Sequence, residues 1–170
     1  MENLLCIKGK IIGKGKPLVC VPVMESSKEE ILRETRRLEE AHTEMIEWRV
    51  DAFENVESPN AIREILNEMK HIIKESILVY TFRSKNQGGC KALSAADIYQ
   101  VAAESDVVDF IDVEYFEAKN PQKEIAMLRE MGAYVIASHH DFEQTPDPEV
   151  IRMLLEQIRE SGADVVKLAV

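Results

Sequence analysis

Five stretches of this chain place ionisable residues at the ends of short apolar runs. They are Glu47-Trp48-Arg49-Val50-Asp51, Thr81-Phe82-Arg83, Asp112-Val113-Glu114, Ser138-His139-His140-Asp141, and Lys167 inside the run Ala163–Val170. Read as strands, residues two apart share a face. Glu47 then points with Arg49, and Asp112 with Glu114. Lys167 is the sharpest single feature. Burial in an apolar strand strips hydration from the charged form of a lysine. The neutral amine is a nucleophile that forms Schiff bases with carbonyl substrates.

Each group also has a plainer reading. Glu47 and Arg49 could be an ion pair that closes an interior, since buried charges are usually paired. Arg83 alone reads as a surface or salt-bridge arginine. His139-His140-Asp141 looks like a metal cluster, yet adjacent strand residues face opposite sides, so only alternate ones could ligate together. Lys167 could snorkel from a strand end. Gly88-Gly89, ahead of Cys90, permits a tight loop rather than a phosphate cradle, because no GxGxxG or Walker pattern surrounds it.

The elements that must position these groups follow from hydrophobic periodicity. Strands are predicted at Leu18–Met24, Met45–Arg49, Ile77–Phe82, Val108–Glu114, Tyr134–Ser138 and Val165–Val170. Helical spacing falls between them, near Ser27–Ala41, Asn60–Lys74, Ser94–Ser105, Pro121–Met131 and Pro148–Ser161. Strands alternating with helices indicate repeated βαβ units and a parallel sheet. A small hairpin is predicted before them, at about 4–13, turning at Lys8-Gly9. The near-regular strand interval suits a (β/α)8 barrel. Six strands leave two expectations: an open α/β sheet, or a barrel cut short after its sixth strand. No shift in composition marks a linker, so a single domain over 1–170 is expected.

Composition bounds the rest. The 170 residues carry 21 Lys+Arg against 31 Asp+Glu, a formal charge of −10, which disfavours general binding to nucleic acid or an anionic membrane. Three widely spaced cysteines, Cys6, Cys20 and Cys90, form neither a disulfide framework nor a zinc ribbon. With no signal-like or membrane-spanning run, a soluble cytoplasmic protein is expected.

Taken together, Glu47-Trp-Arg-Val-Asp51, Thr81-Phe-Arg-Ser84 with Gly88-Gly89, Ser138-His-His-Asp-Phe142 with Thr145-Pro146, and Val166-Lys-Leu-Ala169 resemble the type I 3-dehydroquinate dehydratases. The motifs occur in that family's order and spacing, across essentially the whole chain. The resemblance implies a (β/α)8 TIM barrel, here with about six of its strands plus the N-terminal hairpin. It implies a lyase that dehydrates 3-dehydroquinate to 3-dehydroshikimate in the shikimate route to aromatic amino acids. Lys167 matches the Schiff-base lysine and His140 the general acid/base. Glu47, Arg49 and Arg83 match residues that hold the substrate's hydroxyls. No metal or organic cofactor is implied, and family members are often homodimers.

Two departures carry expectations of their own. Gln87 stands where the family commonly has a glutamate that orients the histidine, so an altered pH profile is expected. Family members continue for roughly two more βα units, which carry an arginine for the substrate carboxylate and a closing loop, so weak or no turnover is expected from these residues alone. The competing readings are another lysine-imine barrel of the aldolase type, and a non-catalytic α/β fragment.

Overall fold

The computed structural model describes residues 4–91 and 96–170. An antiparallel hairpin comes first, β1 (Leu5–Ile7) and β2 (Lys10–Ile12). Six parallel strands follow: β3 (Cys20–Val23), β4 (Met45–Arg49), β5 (Ile77–Thr81), β6 (Phe110–Glu114), β7 (Tyr134–His140) and β8 (Val165–Ala169). They are hydrogen-bonded in simple sequence order, β3 to β8. Helices α1 (Lys28–Glu40), α2 (Pro59–Ile72), α3 (Ala96–Ala103), α4 (Pro121–Glu130) and α5 (Pro148–Arg159) connect them in turn. The parallel sheet is the one the strand–helix alternation predicts, and of the two expectations the result is the interrupted barrel, a half-barrel of the TIM type. The start of the helix expected at Ser94 lies outside the described residues.

Local chemistry explains the helix starts. Ser27 caps α1, accepting from Glu30 N–H while its hydroxyl donates to the Glu30 carboxylate. Ser58 caps α2 by accepting from Ala61 N–H, and Pro59 opens the helix where no N–H is needed. Pro121 and Pro148 open α4 and α5 in the same way.

Period-two alternation splits the strand residues between two cores. Ile46, Trp48, Leu78, Tyr80, Ile111, Val113, Val135 and Ala137 face the helices, where they pack with Ile31, Ile62, Ile65, Leu66, Met69, Ile125 and Leu128. The alternate residues face the barrel interior. At the N-terminal end these are Ile77, Val79, Phe110 and Ile136, packed with Ile7 of the hairpin. One or two residues further along the same face, the side chains become ionisable: Glu47 and Arg49, Asp112 and Glu114, Ser138 and His140, and Lys167. The interior is therefore an apolar floor beneath a charged rim, with each layer set by the register of neighbouring strands (Phe110 beside Val79, Asp112 beside Thr81, Ser138 beside Lys167).

Candidate active site

All five residues singled out in the sequence lie at the carboxyl ends of the strands, where parallel α/β folds build their sites. Lys167 is central. Its Nζ stands 3.6 Å from Glu47 Oε1 and 3.6 Å from Asp112 Oδ2. Its side chain retains 39% of its exposure, so it is neither the sealed lysine its apolar strand suggests nor one that has escaped to solvent. The ammonium is instead held between two carboxylates. Glu47 is oriented by Thr81, whose hydroxyl donates to Oε1 at 2.8 Å.

Arg49 does not pair with Glu47, as sharing a strand face had suggested. After β4 the chain makes a 3-10 turn at Val50–Ala52, which returns the Asp51 carboxylate to Arg49. Asp51 is fully buried and also accepts the main-chain N–H groups of Arg83 at 3.2 Å and Cys90 at 3.1 Å. Desolvation pushes the Asp51 carboxyl up. Arg49 and the two N–H groups more than offset it and hold the group below the usual carboxylate range.

Arg83 is only 3% exposed, which excludes a surface arginine. Its Nη1 donates to Glu114 Oε1 at 3.1 Å and to Ser138 Oγ at 2.9 Å, and its Nη2 pairs with Asp112 Oδ2 at 3.0 Å. The loop after Arg83 is tight by necessity. A Cβ on Gly89 would overlap the Arg83 carbonyl, and Gly88 sits in left-handed conformation at φ 82°.

The two histidines part company, as alternation predicts. His139 faces outward, its ring edge-on to Phe116 at 4.9 Å between centroids. His140 faces the interior and meets Gln87. Gln87 Oε1 accepts the His140 main-chain N–H at 3.0 Å and lies 3.1 Å from Nδ1. A main-chain N–H can only donate, so it is the amide oxygen that faces the histidine. Nδ1 therefore bears the proton, leaving the Nε2 lone pair free. Partial burial, then the charges of Arg83 and Lys167, push the imidazole down to about 4. Phe142 lies nearly parallel to the ring, at 6.2 Å and 14°.

Several participants, among them Asp112, Ser138 and Cys20, carried no assigned role in the sequence reading. Asp112 and Ser138 were visible as polar residues ending apolar strands, and their shared face was the usable signal. Cys20 had none. It lines the wall beside Glu47 and Lys167, and desolvation followed by the Glu47 charge pushes its thiol up to about 11. Among the described residues, no group of three or more His, Cys, Asp or Glu is placed to hold a metal ion. Nor is any described helix long and apolar enough to cross a membrane.

Known proteins resemble this chain in sequence and fold. The family model for type I 3-dehydroquinase matches residues 19–170. The 3-dehydroquinate dehydratase of Clostridioides difficile (strain 630) is 38% identical over 175 residues, spanning 100% of this chain and 68% of that protein. That of Bacillus subtilis (strain 168) is 30% identical, spanning 99% and 68%. Among solved structures, 3-dehydroquinate dehydratase from Geobacillus kaustophilus HTA426 superposes with a TM-score of 0.92 at 25% identity, over 100% of this chain and 69% of that one. The type I enzyme from Clostridium difficile, solved with covalent modified comenic acid, gives 0.92 at 36% identity, over 99% and 68%. The chain thus spans about two thirds of the length of these relatives. With a family model matching residues 19–170 and relatives up to 38% identical along the whole chain, the chain belongs to the type I 3-dehydroquinase family.

Proposed function

We propose that this chain carries the lysine and histidine of a hydro-lyase that converts 3-dehydroquinate to 3-dehydroshikimate in aromatic amino acid biosynthesis. The observation that carries the reading is the placement of Lys167 and His140 on the interior face of adjacent strands, with Ser138 in register with Lys167 and His140 two residues further along β7. Lys167 Nζ attacks the substrate ketone. The ketone oxygen leaves as water, and an iminium joins the lysine to the ring. The iminium draws electrons from the neighbouring carbon, whose proton His140 Nε2 accepts. The enamine so formed expels the β-hydroxyl, and His140 returns its proton to that oxygen as it departs as water. Hydrolysis of the remaining iminium restores Lys167 and releases the ketone product. One water is lost per cycle, and no redox change occurs. An imidazole with a free Nε2 suits both proton transfers.

Glu47 and Arg49, on the interior face near the lysine, are proposed to bind the substrate's hydroxyls. Arg83 is proposed to support them through the Asp112–Glu114–Ser138 network. Assembly as a homodimer and a cytoplasmic setting belong to the same proposal.

The test is borohydride trapping. The chain is incubated with 3-dehydroshikimate, reduced, digested and weighed. A mass increment on Lys167 is expected. An unmodified Lys167 in a folded chain overturns the imine reading.

A further inference from the structure

We propose that Asp112 is a positioning residue for Lys167, holding its nitrogen and serving as the fixed counter-charge of the imine; this rests on the imine reading above. Two carboxylates are equally close to Nζ, but they are built differently. Glu47 keeps 15% side-chain exposure and is oriented by one hydroxyl. Asp112 has no exposure at all. Its nearest link to the open interior is Lys167 Nζ, 3.6 Å from Oδ2.

Its surroundings clamp it. Ser138 Oγ donates to Oδ1 at 2.5 Å and itself accepts from Arg83 Nη1 at 2.9 Å. Arg83 Nη2 lies 3.0 Å from Oδ2. Arg83 is tied in turn to Glu114 at 3.1 Å. The carboxylate plane is thereby fixed. Oδ2 is nevertheless buried without a well-formed hydrogen bond among the described residues. A carboxylate oxygen has more than one lone pair, so beside the Arg83 contact Oδ2 keeps room for a second donor. Lys167 Nζ, 3.6 Å away, is the donor placed to fill it.

The chemistry of condensation fits this arrangement. When a lysine ammonium condenses with a ketone, two of its three hydrogens leave with the ketone oxygen as water. One hydrogen and the single positive charge remain on nitrogen. A counter-charge set for the ammonium therefore serves the iminium without rearranging, which is where fixed electrostatics help most. The other groups facing the nitrogen are Cys20 and Glu47 on β3 and β4, Arg83 after β5, and His140 on β7. Of these, only Glu47 is a second nearby carboxylate.

The experiment compares the parent chain with Asp112→Asn and Ser138→Ala. It follows borohydride-trapped mass on Lys167 over time across a range of 3-dehydroshikimate concentrations, with circular dichroism melts as a folding control. Loss of the charge in D112N is expected to lower the maximal trapping rate by about tenfold or more, while the half-saturating concentration moves by less than about threefold. S138A keeps the charge but loses the clamp, and is expected to fall between D112N and the parent. A D112N trapping rate within about twofold of the parent overturns the anchoring role, as does a change confined to half-saturation. If D112N does not fold, S138A decides, and parent-like trapping there overturns the role. An absent adduct in the parent overturns the imine reading and the anchoring role with it.

Discussion

Arg49 and Asp51 lie fork to fork, Nε to Oδ1 at 2.8 Å and Nη2 to Oδ2 at 2.9 Å, with Asp51 fully buried. The same carboxylate receives two main-chain N–H groups from the loop that follows β5. One side chain thus joins the ends of two strands. Asp51→Ala strands a largely buried guanidinium and two N–H groups, and is expected to cost about 3–5 kcal/mol, the range for breaking a buried pair. Urea unfolding of the variant against the parent measures it. A loss below about 1 kcal/mol, typical of an exposed pair, would contradict the geometry.

Gln87 gives His140 a neutral partner. The imidazole midpoint of about 4 lies below the 6.5 of an ordinary histidine, so the unfolded chain binds the proton first. Stability from this residue is fully present above pH 6.5 and is lost as pH falls through about 4. Gln87→Glu places a negative charge at Nδ1 and is expected to raise the midpoint and narrow that window. NMR titration of the His140 ring resonances reads the shift directly. A midpoint unchanged or lowered in the variant would refute the assignment of Gln87 as the histidine's partner.

Gly89 has no room for a side chain, because its Cβ position is occupied by the backbone of Arg83 and Ser84. Gly89→Ala must displace the segment that delivers Arg83 to the interior. A cost of about 1–3 kcal/mol is expected, as for overpacking in a core, together with impaired trapping at Lys167. A melt indistinguishable from the parent's would show that the loop can move aside.

Arg83→Lys tests whether charge alone suffices. The guanidinium reaches Asp112, Glu114 and Ser138 at once, and a single ammonium cannot reproduce that fork. The variant is expected to lose about 2 kcal/mol in denaturant unfolding, since it leaves buried acceptors unfilled. Parent-like stability would mean that lysine satisfies the cluster.

The positions of strands and helices were legible because alternation, caps and prolines are local signals. β4 spans Met45–Arg49 as periodicity predicts, and Pro121 and Pro148 mark helix starts. β7 runs two residues past its predicted end, because His139 and His140 pair with Leu168 and Ala169, residues far along the chain. That Glu47, Arg49, Arg83, His140 and Lys167 gather at one rim was also legible, since it follows from the strand ends. Their partners were not. Arg49 chose Asp51 over Glu47 because of a 3-10 turn, and Arg83 became buried because β6 and β7 bring three acceptors to it. Whether Lys167 is sealed or reaches solvent was not legible, as strand composition does not reveal how open the interior is on that side.

The hairpin beneath the floor bears on the order of events in folding. Lys8, at a positive φ of 48°, donates to the Ser76 carbonyl and to Asp109, while Asp109 also receives the Leu78 N–H. These partners lie 68 and 101 residues away along the chain. Loop closure over such spans is rewarded only after β5 and β6 have aligned, because their alignment is what gathers the acceptors. The hairpin, which precedes β5 and β6 along the chain, is therefore a late segment to dock, because it waits on strands that follow it.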